Sequence, residues 1–125
     1  LDLLLDTQIF FWIATETERV PRRARQLIEE ASRVYVSAAT IWELTIKIGL
    51  GKLRGDPLRL ADAIAESDFL ELPITARHGA AVRRLVSHHK DPFDRLLVTQ
   101  AVEEGLDLLT SDELLALYSD RVIVV

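Results

Sequence analysis

Four acids, Asp6, Glu43, Asp94 and Asp112, lie far apart along a chain of 125 residues. Each falls just after an apolar run or within the early turns of an amphipathic one. Carboxylates packed together without a cation repel one another, and some hold their protons near neutral pH. A hard divalent cation removes that conflict. A donor set made only of oxygens selects Mg²⁺, with Mn²⁺ as its substitute, over Zn²⁺. The chemistry such a centre supports is attack of an activated water on a phosphodiester, in line with the departing 3′ oxygen. The products are a 5′-phosphate and a 3′-hydroxyl. Neither a covalent-nucleophile assembly nor a Gly-rich phosphate loop is evident in the chain. Each acid also has a plainer reading. Asp6 and Asp112 suit helix N-caps, Asp94 suits the positive end of a helix dipole, and Glu43 suits a solvated helix face. Ile41, Trp42 and Leu44 surround Glu43, however, and a carboxylate near burial needs a partner.

Bringing these acids together requires a particular scaffold. Short apolar runs predict strands at Leu3–Leu5, Val34–Val36, Phe69–Leu72, Leu106–Leu109 and Val122–Val125. Helices are expected over about Thr7–Ala14, Pro21–Ser32, Ser37–Ile48 and Asp56–Glu66, then Thr75–Val86, Asp91–Gly105 and Ser111–Leu117. Ser37 and Thr75 are good N-caps, Pro21 suits a first turn, and Gly49, Gly51 and Gly105 end helices. The strands lack clear alternation, as expected when both sheet faces are covered. Alternating strands and helices give an α/β fold: one three-layer α/β/α sandwich over residues 1–125, with a central parallel sheet of about five strands. Functional groups in such a sheet gather at the carboxyl ends of the strands, and all four acids are expected at that edge.

Composition narrows the field. Hydrophobic residues make up 49% of the chain, enough for a real core. A formal net charge of −5 argues against a passive nucleic-acid binder with a basic face. It is compatible with a nuclease, because a bound cation offsets clustered acids. With no cysteine, disulfides and thiolate metal sites are excluded. The opening LDLLLDTQIFFWIA carries Asp2 and Asp6 and lacks a basic leader, so it reads as strand and helix rather than a signal peptide. No apolar run approaches membrane-spanning length, and the simplest compartment is the cytosol. The chain holds no methionine and opens on Leu1, which points to a native start lying upstream.

The segments LLLDTQIFFWIA, VYVSAATIWELTIKIGLGKL, LPITARHGAAV, HHKDPFDRLLVTQAVEEGLDLLTSD and VIVV occur in that order. In them the chain resembles the PIN-domain ribonucleases, in particular the VapC-type toxins of bacterial toxin–antitoxin pairs. The stretch from His88 to Asp112 is the most specific part of the match. The resemblance implies that Asp6, Glu43, Asp94 and Asp112 are the metal-binding and catalytic acids, with Asp91 the alternative to Asp94. It implies that Thr7 and Ser111 support the acids or their waters. It further implies Mg²⁺-dependent RNA cleavage, a homodimer and inhibition by a cognate antitoxin.

Other residues admit two roles. His88 and His89 suit a loop or an RNA contact better than catalysis, since adjacent side chains cannot share a helix face. Arg95 suits either an ion pair with its neighbour Asp94 or a phosphate contact. Lys47 lies one turn after Glu43 and serves either as its i,i+4 partner or as a guide for substrate. Phe10, Phe11 and Trp12 are expected in the core, with part of the group on a partner-contacting patch. Arg19, Arg22, Arg23 and Arg25 read as a solvated helix face, or as an RNA-contacting strip. Two rivals from other classes deserve comparison. A phosphoacceptor receiver domain needs an Asp ending the third strand and a late Lys, whereas here that strand runs into Leu72-Pro73 and no Lys follows Lys90. A non-catalytic PIN-like interaction module would bind a partner without Mg²⁺-stimulated cleavage.

Overall fold

The computed structural model describes residues 1–85 and 91–125. Its strands are β1 (Asp2–Leu5), β2 (Arg33–Ser37), β3 (Leu70–Leu72), β4 (Asp107–Thr110) and β5 (Val122–Val124). Its helices are α1 (Thr7–Thr15), α2 (Arg22–Glu30), α3 (Ala38–Gly49), α4 (Pro57–Glu66), α5 (Ala76–Ala81) and α6 (Pro92–Glu104). The strands form one wholly parallel sheet in the order β3-β2-β1-β4-β5. The expected three-layer α/β architecture is therefore what the chain adopts.

Period-two geometry sends alternate residues of β1 to opposite faces, and each face has its own core. Leu3 and Leu5 join Val34, Val36 and Leu109 beneath Ile9 and Phe10 of α1, Leu44 of α3, and Leu60 and Ile64 of α4. Leu4 and Leu108 face the other way, against Leu97, Val98 and Ala101 of α6. All three leucines of β1 are fully buried, which explains why that strand reads as a continuous apolar run. The local signals act where expected. Ser37 accepts from the Ala39 amide at 3.0 Å, and Asp56 accepts from the Leu58 amide at 3.0 Å. Gly105 ends α6 in the left-handed region at φ 69°, which a residue without Cβ adopts freely.

Two local expectations are corrected, and one element is new. The helix capped by Thr75 is short: α5 stops at Ala81 and a 3₁₀ turn covers Val82–Arg84. The segment after β4 is also 3₁₀, over Glu113–Leu117. A 3₁₀ turn at Thr17–Arg19 was not anticipated from the sequence. Phe10 and Phe11 are buried and Trp12 packs half-buried on the same core, so this trio offers little outward apolar surface. The exposed aromatic is Trp42, 60% accessible, with its ring edge-to-face on Phe93 at 5.3 Å. Arg19, Arg22, Arg23 and Arg25 form a solvated face, with Arg19 paired to Glu16 at 2.9 Å.

Candidate active site

The chain order reverses direction across the sheet between β1 and β4, because β1 is flanked by β2 on one side and β4 on the other. Connections leave in opposite directions there, which opens a crevice above the carboxyl ends of the two strands. A cleft of about 600 Å³ lies at that edge. Asp6, Glu43, Asp91, Asp94 and Asp112 all line it, together with Thr7, Ser111, Lys47 and Lys52.

Asp6 begins where β1 ends. Its amide donates to the Leu109 carbonyl at 2.9 Å, continuing the ladder to β4 by one bond. Its Oδ1 accepts from the Thr7 amide at 2.8 Å as the N-cap of α1, and its Oδ2 accepts from the Thr110 hydroxyl at 2.6 Å. The cap role and membership of the acid cleft thus coexist in one side chain. Burial raises the Asp6 pKa above the ordinary 3.8, and the charges of Glu43 and Asp112 push the same way, while the bonds from Thr110 and Thr7 oppose them.

Glu43 projects from the second turn of α3 and is buried. Its Oε1 accepts from the Thr7 hydroxyl at 2.8 Å and its Oε2 accepts from the Lys47 ammonium at 2.8 Å. The Thr7 hydroxyl also meets the Thr40 hydroxyl at 3.2 Å, tying α1 to α3 beneath the cleft. Asp91 caps α6, accepting from the Phe93 and Asp94 amides at 2.9 and 3.3 Å. Asp94 therefore sits in the first helical turn, near the partial positive charge of the helix start. Asp112 caps the following 3₁₀ turn by accepting from the Leu114 amide at 2.9 Å.

Thr110 was not singled out from sequence, yet it couples two of the acids. Its buried hydroxyl donates to Asp6 and accepts from the Asp112 amide at 3.0 Å. Finding it requires knowing that β4 lies beside β1, a pairing of residues 104 positions apart. Arg95 does not line the cleft. Its guanidinium donates to the carbonyls of Val82 and Leu85 at 3.3 and 3.4 Å, fastening the segment after α5. His88 and His89 lie outside the described residues. The arginine strip of α2 is absent from the cleft lining.

Among the described residues, no group of three or more Asp, Glu or His side chains is placed to hold a metal ion. The donors nonetheless fit one in kind. All are hard oxygens and they share one cleft, and the Asp6 pKa is raised chiefly by burial, with the charges of Glu43 and Asp112 adding to a cost of ionisation that a cation relieves. The side-chain oxygens of Asp6 and Glu43 are engaged by hydroxyls, an amide and an ammonium, so ligation requires these partners to share or yield.

The Asp6 shift has a testable sign. A carboxyl whose folded pKa is raised contributes stability that is fully present below its unfolded value and is lost as pH rises through the folded value. Without divalent ions, Asp6 therefore weakens the fold as pH climbs from about 3.8 upward. Asp6→Asn removes this loss, so in EDTA the variant gains on the parent as pH rises. Urea unfolding at acid and at neutral pH measures the gap, and a gap that does not widen contradicts the assignment.

The PIN domain family model matches residues 3–120. Ribonuclease VapC22 of Mycobacterium tuberculosis (strain ATCC 25618 / H37Rv) is 30% identical over 119 residues, covering 88% of this chain and 86% of that protein. Among solved structures, VapBC2 from Rickettsia felis bound to a promoter DNA fragment aligns with a TM-score of 0.71 and 15% identity, covering 100% of this chain and 98% of that one. DNA-bound VapBC from Salmonella typhimurium aligns with a TM-score of 0.67 and 18% identity, covering 100% and 97%. A toxin–antitoxin complex from Klebsiella pneumoniae gives a TM-score of 0.67 at 18% identity, covering 98% and 96%. At these identities the structural likeness speaks to the fold.

Proposed function

Because the chain belongs to the PIN-domain family, with a VapC ribonuclease among its relatives, we propose that it is a divalent-metal-dependent endoribonuclease and the toxin half of a toxin–antitoxin pair. The observation that carries this reading is the meeting of Asp6, Glu43, Asp94 and Asp112, with Asp91, in one cleft at the sheet's reversal point. No acid ends β3, where a receiver domain would need one.

Asp6, Glu43, Asp94 and Asp112 hold Mg²⁺ directly or through waters, and Mn²⁺ substitutes for it. When bound, the cation supplies Lewis acidity toward the phosphoryl oxygens and lowers the pKa of an attacking water. The chain's own groups prepare that chemistry. Thr110 aims Asp6, Thr7 aims Glu43, and the Asp91 cap sets the direction in which α6 presents Asp94. Ser111 lies at the cleft wall beside Asp112 and supports its waters. Lys47 and Lys52 give the same cleft a cationic side for RNA phosphates.

The protein acts in the cytosol as a homodimer and is silenced by a cognate antitoxin. Support for the antitoxin comes from the toxin–antitoxin complexes among its structural neighbours. No described helix is long and apolar enough to cross a membrane. The decisive experiment maps new RNA ends after incubating purified protein with total cellular RNA, in Mg²⁺ and in EDTA. Discrete 5′-phosphate ends that appear only with Mg²⁺ are expected. No cleavage under either condition would leave the interaction-module reading in its place.

A further inference from the structure

Lys47 has an unusual position for a lysine one turn along from a glutamate. Its partner Glu43 is not a surface acid: the Glu43 side chain is 7% accessible, while that of Lys47 is 43% accessible. The ammonium reaches inward to Glu43 Oε2 at 2.8 Å, while the Thr7 hydroxyl donates to Oε1 of the same carboxylate. Lys47 lines the acid cleft with Asp6, Asp91, Asp94 and Asp112. Burial works to lower its pKa, but the hydrogen bond and charge of Glu43, with the charges of Asp91 and Asp94, outweigh that and hold it above 10.5. An ordinary i,i+4 pair on a helix surface faces water and answers to one acid. This one answers to several.

We infer that Lys47 is the cleft's own counter-cation in the metal-free protein, and that a divalent ion reaches Glu43 by displacing its ammonium. The inference rests on the proposed metal-dependent reading and deepens it. An ammonium seated on Glu43 Oε2 repels a divalent ion that approaches the same carboxylate, so the two compete for it. Glu43 therefore exchanges a monovalent partner on a flexible stem for a divalent one. The ammonium is tethered by four methylenes, so on leaving Glu43 it stays within the cleft, where a phosphate is its next partner. The pairing role and the substrate-guiding role of Lys47 then become two states of one residue. A cost follows as well: an ion must compete with a cation already in place, which weakens metal binding and ties metal loading to release of Lys47.

The test compares the parent protein with Lys47→Met, which removes the charge, and Lys47→Arg, which keeps it. Mn²⁺ binding is read by calorimetry and the thermal midpoint is read in EDTA. Lys47→Met is expected to bind Mn²⁺ several-fold to about tenfold more tightly, and to melt lower in EDTA by roughly 3–6 °C. Lys47→Arg is expected to stay close to the parent in both. If Lys47→Met does not fold in EDTA, Lys47→Gln, which can still donate to Glu43, carries the same comparison. Unchanged or weaker Mn²⁺ binding by the neutral variants, with normal binding by the parent, would overturn the exchange while leaving the metal-dependent reading intact. Absence of Mn²⁺ binding in every variant and in the parent would sink both.

Discussion

Replacing Asp6 by Asn is expected to lower RNA cleavage by roughly 10²–10³-fold or more, on the scale of losing one group that stabilises charge at a reacting centre. The loss should come with a fold that is intact and that, in EDTA, gains on the parent as pH rises. The two effects share a cause. The buried Asp6 carboxylate is costly to ionise beside Glu43 and Asp112, and its charge is what a cation needs there. Asp94→Asn, at the start of α6, is expected to lose activity to the same degree. Single-turnover cleavage of one mapped RNA, together with urea unfolding of each variant, checks both. Near-parental cleavage by both variants would remove the acids from the chemistry.

The second large effect concerns the fold beneath the site. Phe10 is fully buried in the core between α1 and the sheet. Phe10→Ala removes that ring and leaves a cavity that its neighbours fill only in part, at a cost of about 3–5 kcal/mol. Domains of this size have about 5–15 kcal/mol in total, so the variant is expected to be marginal. Its urea midpoint should fall steeply while the slope stays near that of the parent. Because Asp6 caps α1 and Thr7 opens it, the same substitution should loosen the cleft. A drop below about 1 kcal/mol would mean that the two-core description is wrong at this position.

Much of this arrangement is legible in the residues alone. Leu3–Leu5 and Val34–Val36 announce buried parallel strands, and Ser37, Asp56 and Asp91 announce helix starts, because these signals act over a few neighbours. Asp6, Asp91, Asp94 and Asp112 stand out for the same reason, each at or within a turn of a helix start, whereas Glu43 lies inside α3 and stands out by its apolar neighbours Ile41, Trp42 and Leu44. What stays hidden depends on strands meeting that are distant in sequence. Thr110 looks like any strand residue until β4 is set beside β1, and only then does its hydroxyl meet Asp6. The same holds for Gln100, which accepts from Ser37 at 2.6 Å and reaches toward Pro73 and His78, joining α6 to β2 and α5 in a buried polar network. The contacts of Arg95 are hidden for a related reason. Its sequence neighbour is Asp94, but its guanidinium points to carbonyls of the preceding segment. The early end of α5 has no strong breaker in the sequence, and a 3₁₀ turn takes over at Val82.

The centre of the sheet is β1, the earliest of the five strands, and one of its two neighbours, β4, is the fourth in chain order. A ribosome that has delivered β1, β2 and β3 has produced only part of the fold, with the edge of β1 still open and Asp112 not yet synthesised. A polypeptide cut short before Asp107 remains in that condition. Such a chain leaves one side of β1 without its β4 partner and the acid cleft without the Asp112 carboxylate.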